Sequence, residues 1–237
     1  MSLLTIVKNV ANDTGLLEVP TTVVSNSNPG TQQVLSLINK VCGELLRAHD
    51  WQALQREITF TTDGSGSYNI DTDIVTDGDY KRPVMQTEWD RSNQKKIAIV
   101  SEAEWQELKS GIVSTTGIYR YARVRGNNLI MTPDESGDDL SFEYISSYYV
   151  KDSAGDRKPA FTDDTDTVFF DEDLVELGLI YHLQTRKGLP AEEDYDIYNN
   201  AINDLSGQEK PQKVLRPCSA YKKSNFVLNI PDSGVGQ

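Results

Sequence analysis

The residues that could do chemistry are few. There are two histidines, His49 and His182, and two cysteines, Cys42 and Cys218, in 237 residues. Both histidines fall near the ends of helical patterns, where an imidazole interacts favourably with the last carbonyls, so a structural role is expected for each. Two histidines and one cysteine inside an apolar pattern do not reproduce any metal-ligand spacing. Carboxylates are numerous enough to supply an acid pair for hydrolysis. They cluster as Asp71, Asp73, Asp77 and Asp79, and again as Asp163, Asp164 and Asp166. Neither cluster has the alternating ligands, central glycine and closing Glu of a calcium loop, so turn and capping chemistry is the expectation for both. A weak divalent site formed between subunits is the sharper alternative.

Aromatic and basic residues were weighed in the same way. Trp51, Trp89 and Trp105 could stack on sugars, but a Trp beside a helix end more often closes a core. Arg120, Arg123 and Arg125 interleave with Tyr119 and Tyr121, a pattern that can bind single-stranded nucleic acid. The chain carries a net charge of −13, which repels polyanions, so a solvated strand face or a contact with an acidic neighbour is expected instead. No Gly-rich phosphate loop, Gly-x-Ser-x-Gly elbow or zinc-protease helix is present in the sequence. No catalytic residue, cofactor or metal is expected.

The elements around these residues follow from periodicity. Leu3 to Asn12 reads as a short helix ended by Gly15. From Thr31, Val34, Leu37, Ile38, Val41, Leu45 and Ala48 recur at helical spacing, and the pattern predicts a helix to about Leu54. Arg56–Thr62 reads as a strand, Asp63–Gly66 as a turn and Ser67–Ile70 as the returning strand. A further strand is expected within Tyr80–Asp90. Ser101 and Glu104 form a capping box for a short helix, with Trp105 and Leu108 facing inward and Gly111 ending it. Tyr119–Val124 and Asn128–Thr132 predict a hairpin around Gly126-Asn127. Leu140–Tyr148 is another strand, with Phe142 and Tyr144 on one face. After an acidic loop, Ala154–Thr167, Asp171 caps a second strong helix with Leu174, Leu177, Gly178 and Tyr181 on one face and Gly188 at its end. Pro190 opens a third helix to about Ser206, with Tyr195, Tyr198, Ala201, Ile202 and Leu205 as its apolar side.

From Gly207 the periodicity stops. Lys210, Lys213, Arg216, Lys222 and Lys223 stand against Glu209 and Asp232, a net of +3, which leaves −16 on the preceding residues. One short apolar run holds Phe226, Leu228 and Ile230. The segment reads as an extended arm that a partner orders. The expected fold is therefore α+β. A helical bundle would be built from residues 1–55 and 151–206, with Val34, Leu37, Ile38, Val41, Leu45, Leu174, Leu177, Tyr181, Tyr198 and Ile202 in its core. A small antiparallel β-rich lobe with a short helix would be inserted at 56–150, and the arm would span 207–237. No basic start followed by an apolar run, and no stretch near the roughly 18 apolar residues of a membrane span, is visible, so a soluble protein in a reducing compartment and no membrane partner are expected.

An ordered series of signals resembles a known family. It runs through Gln32–Asn39, Gly43–Arg47 and Asp50–Leu54, then Trp89-Asp-Arg91, Ser101–Lys109, Phe142–Ile145, Phe161–Asp166, and the helix from Leu174 to Lys187 ending in Gly188-Leu-Pro190. Over residues 3 to 205 this looks like the head-to-tail adaptor (connector) proteins of tailed bacteriophages. The resemblance implies a structural virion protein made in the host cytoplasm. It would assemble as a ring of twelve copies beneath the portal protein, join capsid to tail or nozzle protein, and continue a channel that passes DNA without specific binding. Related tail accessory factors grip the portal with a C-terminal extension, which would assign that role to Lys210, Lys213, Arg216, Lys222, Lys223, Phe226, Leu228 and Ile230. Two alternatives stay open: a tail-associated cell-wall hydrolase using two carboxylates, and a carbohydrate-binding tail component using Trp89 or Trp105.

Overall fold

A computed structural model describes residues 1–110 and 119–209. Gly111 and every residue assigned to portal contact, Lys210 through Ile230, lie outside the described residues, as does Cys218. The chain is α+β, with sheets that are almost wholly antiparallel.

Local sequence sets the helices. Helix α1 spans Leu3–Thr14, capped by Ser2 and closed by Gly15 in the left-handed conformation. Helix α2 spans Pro29–Ala48. Its start precedes the expected Thr31 because Asn28 accepts a hydrogen bond from the Gly30 amide at 2.9 Å and Pro29 fits the first turn. Helix α3 spans Glu102–Ser110 and carries the expected capping box: Glu104 accepts from the Ser101 amide at 2.8 Å, and Ser101 accepts from the Glu104 amide. Helix α4 spans Glu172–Lys187 between Asp171, which accepts from the amides of Asp173 and Leu174, and left-handed Gly188. Helix α5 spans Glu192–Glu209 and so runs past the expected stop at Gly207.

Helix α2 is shorter than its periodicity predicts. It stops at Ala48, and a short 3-10 turn follows at Gln52–Leu54. Two side chains take the carbonyls that would have continued it. The Trp51 indole donates to Leu45 O at 2.7 Å, and Arg82 donates to Leu46 O at 3.1 Å and His49 O at 2.9 Å. Once those acceptors are satisfied there is no penalty for ending the helix.

The strands are β1 (Gln55–Thr61), β2 (Ser67–Asn69), β3 (Tyr80–Pro83), β4 (Trp89–Asp90), β5 (Lys95–Lys96), β6 (Ala98–Ile99), β7 (Tyr121–Arg125), β8 (Asn128–Thr132), β9 (Asp139–Ser146), β10 (Val150–Lys151), β11 (Arg157–Lys158) and β12 (Thr167–Val168). Strand β9 is the axis of the first sheet. It pairs along its length with β1, from Gln55↔Ile145 to Thr61↔Asp139, and on its other edge with β3 and then β4. The second sheet runs β2-β8-β7-β6, and a small third sheet joins β10 to β11 and β12. The β7–β8 hairpin turns at Gly126-Asn127 as expected. The expected β1–β2 hairpin does not form. Strand β2 pairs with β8, because Tyr68 must face Leu129 and Met131 across the second sheet. The segment Tyr80–Asp90 holds two short strands where one was expected, and the acidic loop holds β11 and part of β12.

Two cores result, and β9 separates them. Leu140, Phe142 and Tyr144 point with Phe60, Tyr68, Ile97, Leu129 and Met131 into the core between the two sheets. Ile145, on the opposite face of the same strand, joins Tyr149, Val150 and the helices in the other core. There α4 packs against α1, α2 and α5. Val34, Leu37, Ile38, Val41, Leu45, Leu174 and Tyr198 are buried, whereas Leu177, Tyr181 and Ile202 are only half-buried. The buried stripe of α4 is Leu174, Val175, Gly178, Leu179, His182 and Leu183, rotated from the expected face. The rotation follows from α4 being covered on three sides. Tyr181 turns to the α5 side, where its ring lies 5.3 Å from Tyr195 and 6.3 Å from Tyr198.

Candidate functional site

The ionisable residues that sequence singled out fall into four groups, and all but one hold the fold together. The acidic loop comes first. Asp164 accepts from the amides of Val23 and Val24 at 3.0 and 2.8 Å, and Asp166 accepts from the amides of Thr162 and Asp163 at 2.9 Å each. Burial works to raise the Asp166 carboxyl, and these amides together with Lys158 outweigh it and hold it below the usual range. The loop backbone also receives the first amides of α1: Leu3 N donates to Asp166 O and Leu4 N to Asp164 O. This is the turn and capping chemistry expected of Asp163, Asp164 and Asp166. Among the described residues no group of three or more His, Cys, Asp or Glu is arranged to hold a metal ion.

The other aspartate cluster behaves differently. Asp73 does turn work, accepting from the Asn69 amide at 2.8 Å. Asp79 is fully buried beneath the first sheet. One of its oxygens accepts from Arg56 at 2.7 Å and Ser146 at 2.8 Å, and the other from Tyr144 at 2.8 Å. Reading Asp79 as solvated turn chemistry is therefore corrected. Its partners lie 23 to 67 residues away along the chain, so no local pattern announces them.

The histidines each take a glutamate. His182 on α4 lies 2.7 Å from Glu44 on α2, and His49 lies 3.6 Å from Glu209 with its ring edge-on to Trp51. Glu209 also accepts from the Gln52 amide at 3.1 Å, so the last residue of α5 is tied to the end of α2. Trp51 and Trp105 are buried, as a core role requires, but Trp89 is 38% exposed, which corrects the expectation for that residue. Of the two tryptophans proposed for sugar stacking, only Trp89 presents a face.

The arginine series is also divided. Arg120, expected on a solvated strand face, is only 7% exposed. It pairs with Asp138 and, at 3.5 Å, with Asp90. Arg123 reaches Glu102 at 3.2 Å, and Arg125 is exposed. Around Arg120 a polar cleft of about 200 Å3 opens between Asp90, Asn93, Lys95, Lys96, Pro133 and Glu135. Two carboxylates, Asp90 and Glu135, border it. Asp90 accepts from the Asn93 amide at 2.8 Å as well as facing Arg120, and so ties that turn to the arginine.

One titratable group has no evident structural task. Glu88 is 5% exposed, neither carboxyl oxygen has a hydrogen-bond partner among the described residues, and it borders a small apolar cavity with Phe60, Ile97 and Met131. Burial raises its carboxyl above the ordinary glutamate range. A carboxyl raised on folding contributes stability below its unfolded value, near pH 4, and that contribution is lost as pH rises through the folded value. Glu88→Gln is therefore expected to raise stability at pH 7 by about 1–2 kcal/mol and to match the parent near pH 4. Urea titrations at the two pH values check this; an equal gain at both would mean that charge is not the cause.

Sequence reasoning missed Glu88 and Arg82 and misread Asp79. Arg82 bridges the two cores, binding Asp50 at 2.6 Å besides the carbonyls at the end of α2. No helix among the described residues is long and apolar enough to cross a membrane. No family model matches this chain, and no curated protein gives a match.

Proposed function

We propose that this chain is a structural head-to-tail adaptor of a tailed bacteriophage. In this reading it acts without catalysis, as one copy in a twelve-membered ring beneath the portal, joining capsid to tail or nozzle protein and lining a channel that DNA passes. The helices from both ends of the described chain form the bundle, the sheets form the inserted lobe, and the residues after Glu209 form the arm. The observation that carries the reading is this plan. The α2 and α4–α5 blocks share one core, the strands lie between them in sequence, and a net-positive segment follows α5. The ordered series from Gln32 to Pro190 and the strongly acidic body support it. Phosphate contacts would need Lys and Arg along the channel wall.

In this reading the arm starts after Glu209, because Gly207–Glu209 are helical and Glu209 bonds Gln52. The test is deletion of residues 210–237. The truncated chain is expected to fold and to fail to join portal-bearing capsids. Normal attachment would refute a docking role for Lys210, Lys213, Arg216, Lys222, Lys223, Phe226, Leu228 and Ile230. Electron microscopy of assembled particles then reads the ring itself, and a location away from the portal vertex refutes the adaptor reading.

A second reading has one observation in its favour, the exposed Trp89. A carbohydrate-binding tail component would use that face. Glycan binding lost in Trp89→Ala would support it over the adaptor, and clearing of a peptidoglycan gel would support the hydrolase.

A further inference from the structure

Helix α5 has an unusual outer face. Among its 18 residues, Glu192, Glu193, Asp194, Asp196, Asp204 and Glu209 are acidic and none is basic. Glu192, Glu193, Asp196 and Asp204 are exposed. Between them stands Ile197, 45% exposed, while Tyr195 turns to the other side and meets Tyr181 of α4. The positions Glu193, Ile197, Asn200 and Asp204 recur at helical spacing and form one outward stripe. The helix packs on α4 alone among the larger elements, so this stripe has no neighbour among the described residues. A helix face that is acidic at both ends and apolar in the middle fits a segment that is basic and apolar in the same proportions.

The same chain contains such a segment. Residues 210–237 hold Lys210, Lys213, Arg216, Lys222 and Lys223 against one acid, Asp232, and the apolar run Phe226-Val-Leu-Asn-Ile230 follows the Lys222-Lys223 pair after Ser224 and Asn225. The lengths agree. Phe226 lies 17 residues beyond Glu209, and a flexible chain of that length has a root-mean-square span of about 23 Å. The way back along α5 from Glu209 to Ile197 is 12 residues, roughly 18 Å at helical rise. A tether matched to its span gives an effective concentration in the millimolar range, so even a contact with a dissociation constant near 1 mM is occupied within one molecule.

We propose that the outer face of α5 is the docking site for residues 210–237 of the same chain. The run from Phe226 to Ile230 covers Ile197, and Lys222 and Lys223 lie against Glu193 and Asp196. Single exposed ion pairs contribute little, so the contact depends on the tether and is sensitive to salt. It keeps the apolar run covered until a more acidic or more apolar partner displaces it. The inference goes beyond the adaptor reading and does not require a ring or a portal.

Carbodiimide cross-linking of the full chain tests it. The reagent joins a lysine to a carboxylate only where the two touch. At low salt, peptides carrying Lys222 or Lys223 are expected to be joined to those carrying Glu193 or Asp196, with the yield falling at least fivefold in 1 M salt. Ile197→Ser, an exposed substitution that leaves both cores intact, is expected to lower the yield several-fold. In an equal mixture of isotope-labelled and unlabelled chains, every cross-linked pair is expected to be of one isotope. Absence of these cross-links overturns the proposal. Mixed-isotope pairs also overturn it, because they place the arm on a second copy.

Discussion

Asp79→Ala is expected to lower the stability of the folded chain by about 2–4 kcal/mol, the cost of leaving two buried hydroxyls without an acceptor and a partly exposed Arg56 without its partner. The magnitude follows from what Asp79 holds. Arg56 comes from β1, while Tyr144 and Ser146 come from β9, so the carboxylate pins the loop before β3 to both central strands of the first sheet. Without it, two buried hydroxyls lose their acceptor and Arg56 keeps only Asp77, at 3.5 Å, and the face of the Tyr144 ring. Asp79→Asn keeps the shape and loses the charge, and a smaller loss is expected.

The pH dependence has a definite sign. Burial works to raise the Asp79 carboxyl, and the hydrogen bonds from Arg56, Ser146 and Tyr144 outweigh it, so the folded value lies below the ordinary one. The stability it adds is therefore fully present above the unfolded value, about pH 4, and is lost as pH falls through the folded value. The gap between parent and Asp79→Asn in urea midpoint is expected to be full at pH 7 and to close as pH falls through the folded value. A gap that stays constant with pH would mean that the charge carries none of the effect.

The second large effect concerns a glycine. Gly178 lies in α4 where α2 and α5 approach most closely. A Cβ there would sit 2.7 Å from Val41 and 2.8 Å from the ring of Tyr198. Alanine is ordinarily the better helix former by about 1 kcal/mol. At this position overpacking wins, and Gly178→Ala is expected to destabilise by about 1–3 kcal/mol, with Gly178→Val costing more. Gly43 in α2 is the control. A Cβ there meets nothing closer than the Arg47 guanidinium at 3.9 Å, so Gly43→Ala is expected to stabilise by about 0.5–1 kcal/mol. Opposite signs at two helical glycines, measured by chemical denaturation, would separate packing from propensity. A stabilising Gly178→Ala would show that α5 can move off α4 without cost.

Sequence and structure divide along a physical line. The helices were legible because their signals are local. Asp171 and Gly188 bracket α4, Ser101 and Glu104 start α3, and Gly15 ends α1, each through bonds to residues within a few positions. The apolar spacing of Val34, Ile38, Val41 and Leu45 named the buried face of α2 for the same reason. Part of the acidic loop was legible too, since Asp166 accepts from the amides of Thr162 and Asp163 in its own turn, whereas Asp164 takes the amides of Val23 and Val24, 141 and 140 residues away. What the chain could not announce locally was pairing across long separations. Whether Ser67–Asn69 returned along β1 or crossed to β8 depended on which strand offered an apolar face for Tyr68. Arg120 and Asp79 were expected in solvent because charged residues usually are, and only the meeting of distant strands gave them buried partners. The end of α2 at Ala48 was decided by Trp51 and by Arg82, a residue 34 positions further on than Ala48. Periodicity fixes which way a helix faces when it has one neighbour. Helix α4 has three, and tertiary packing turned Tyr181 toward α5 and left Gly178 as the point of closest approach.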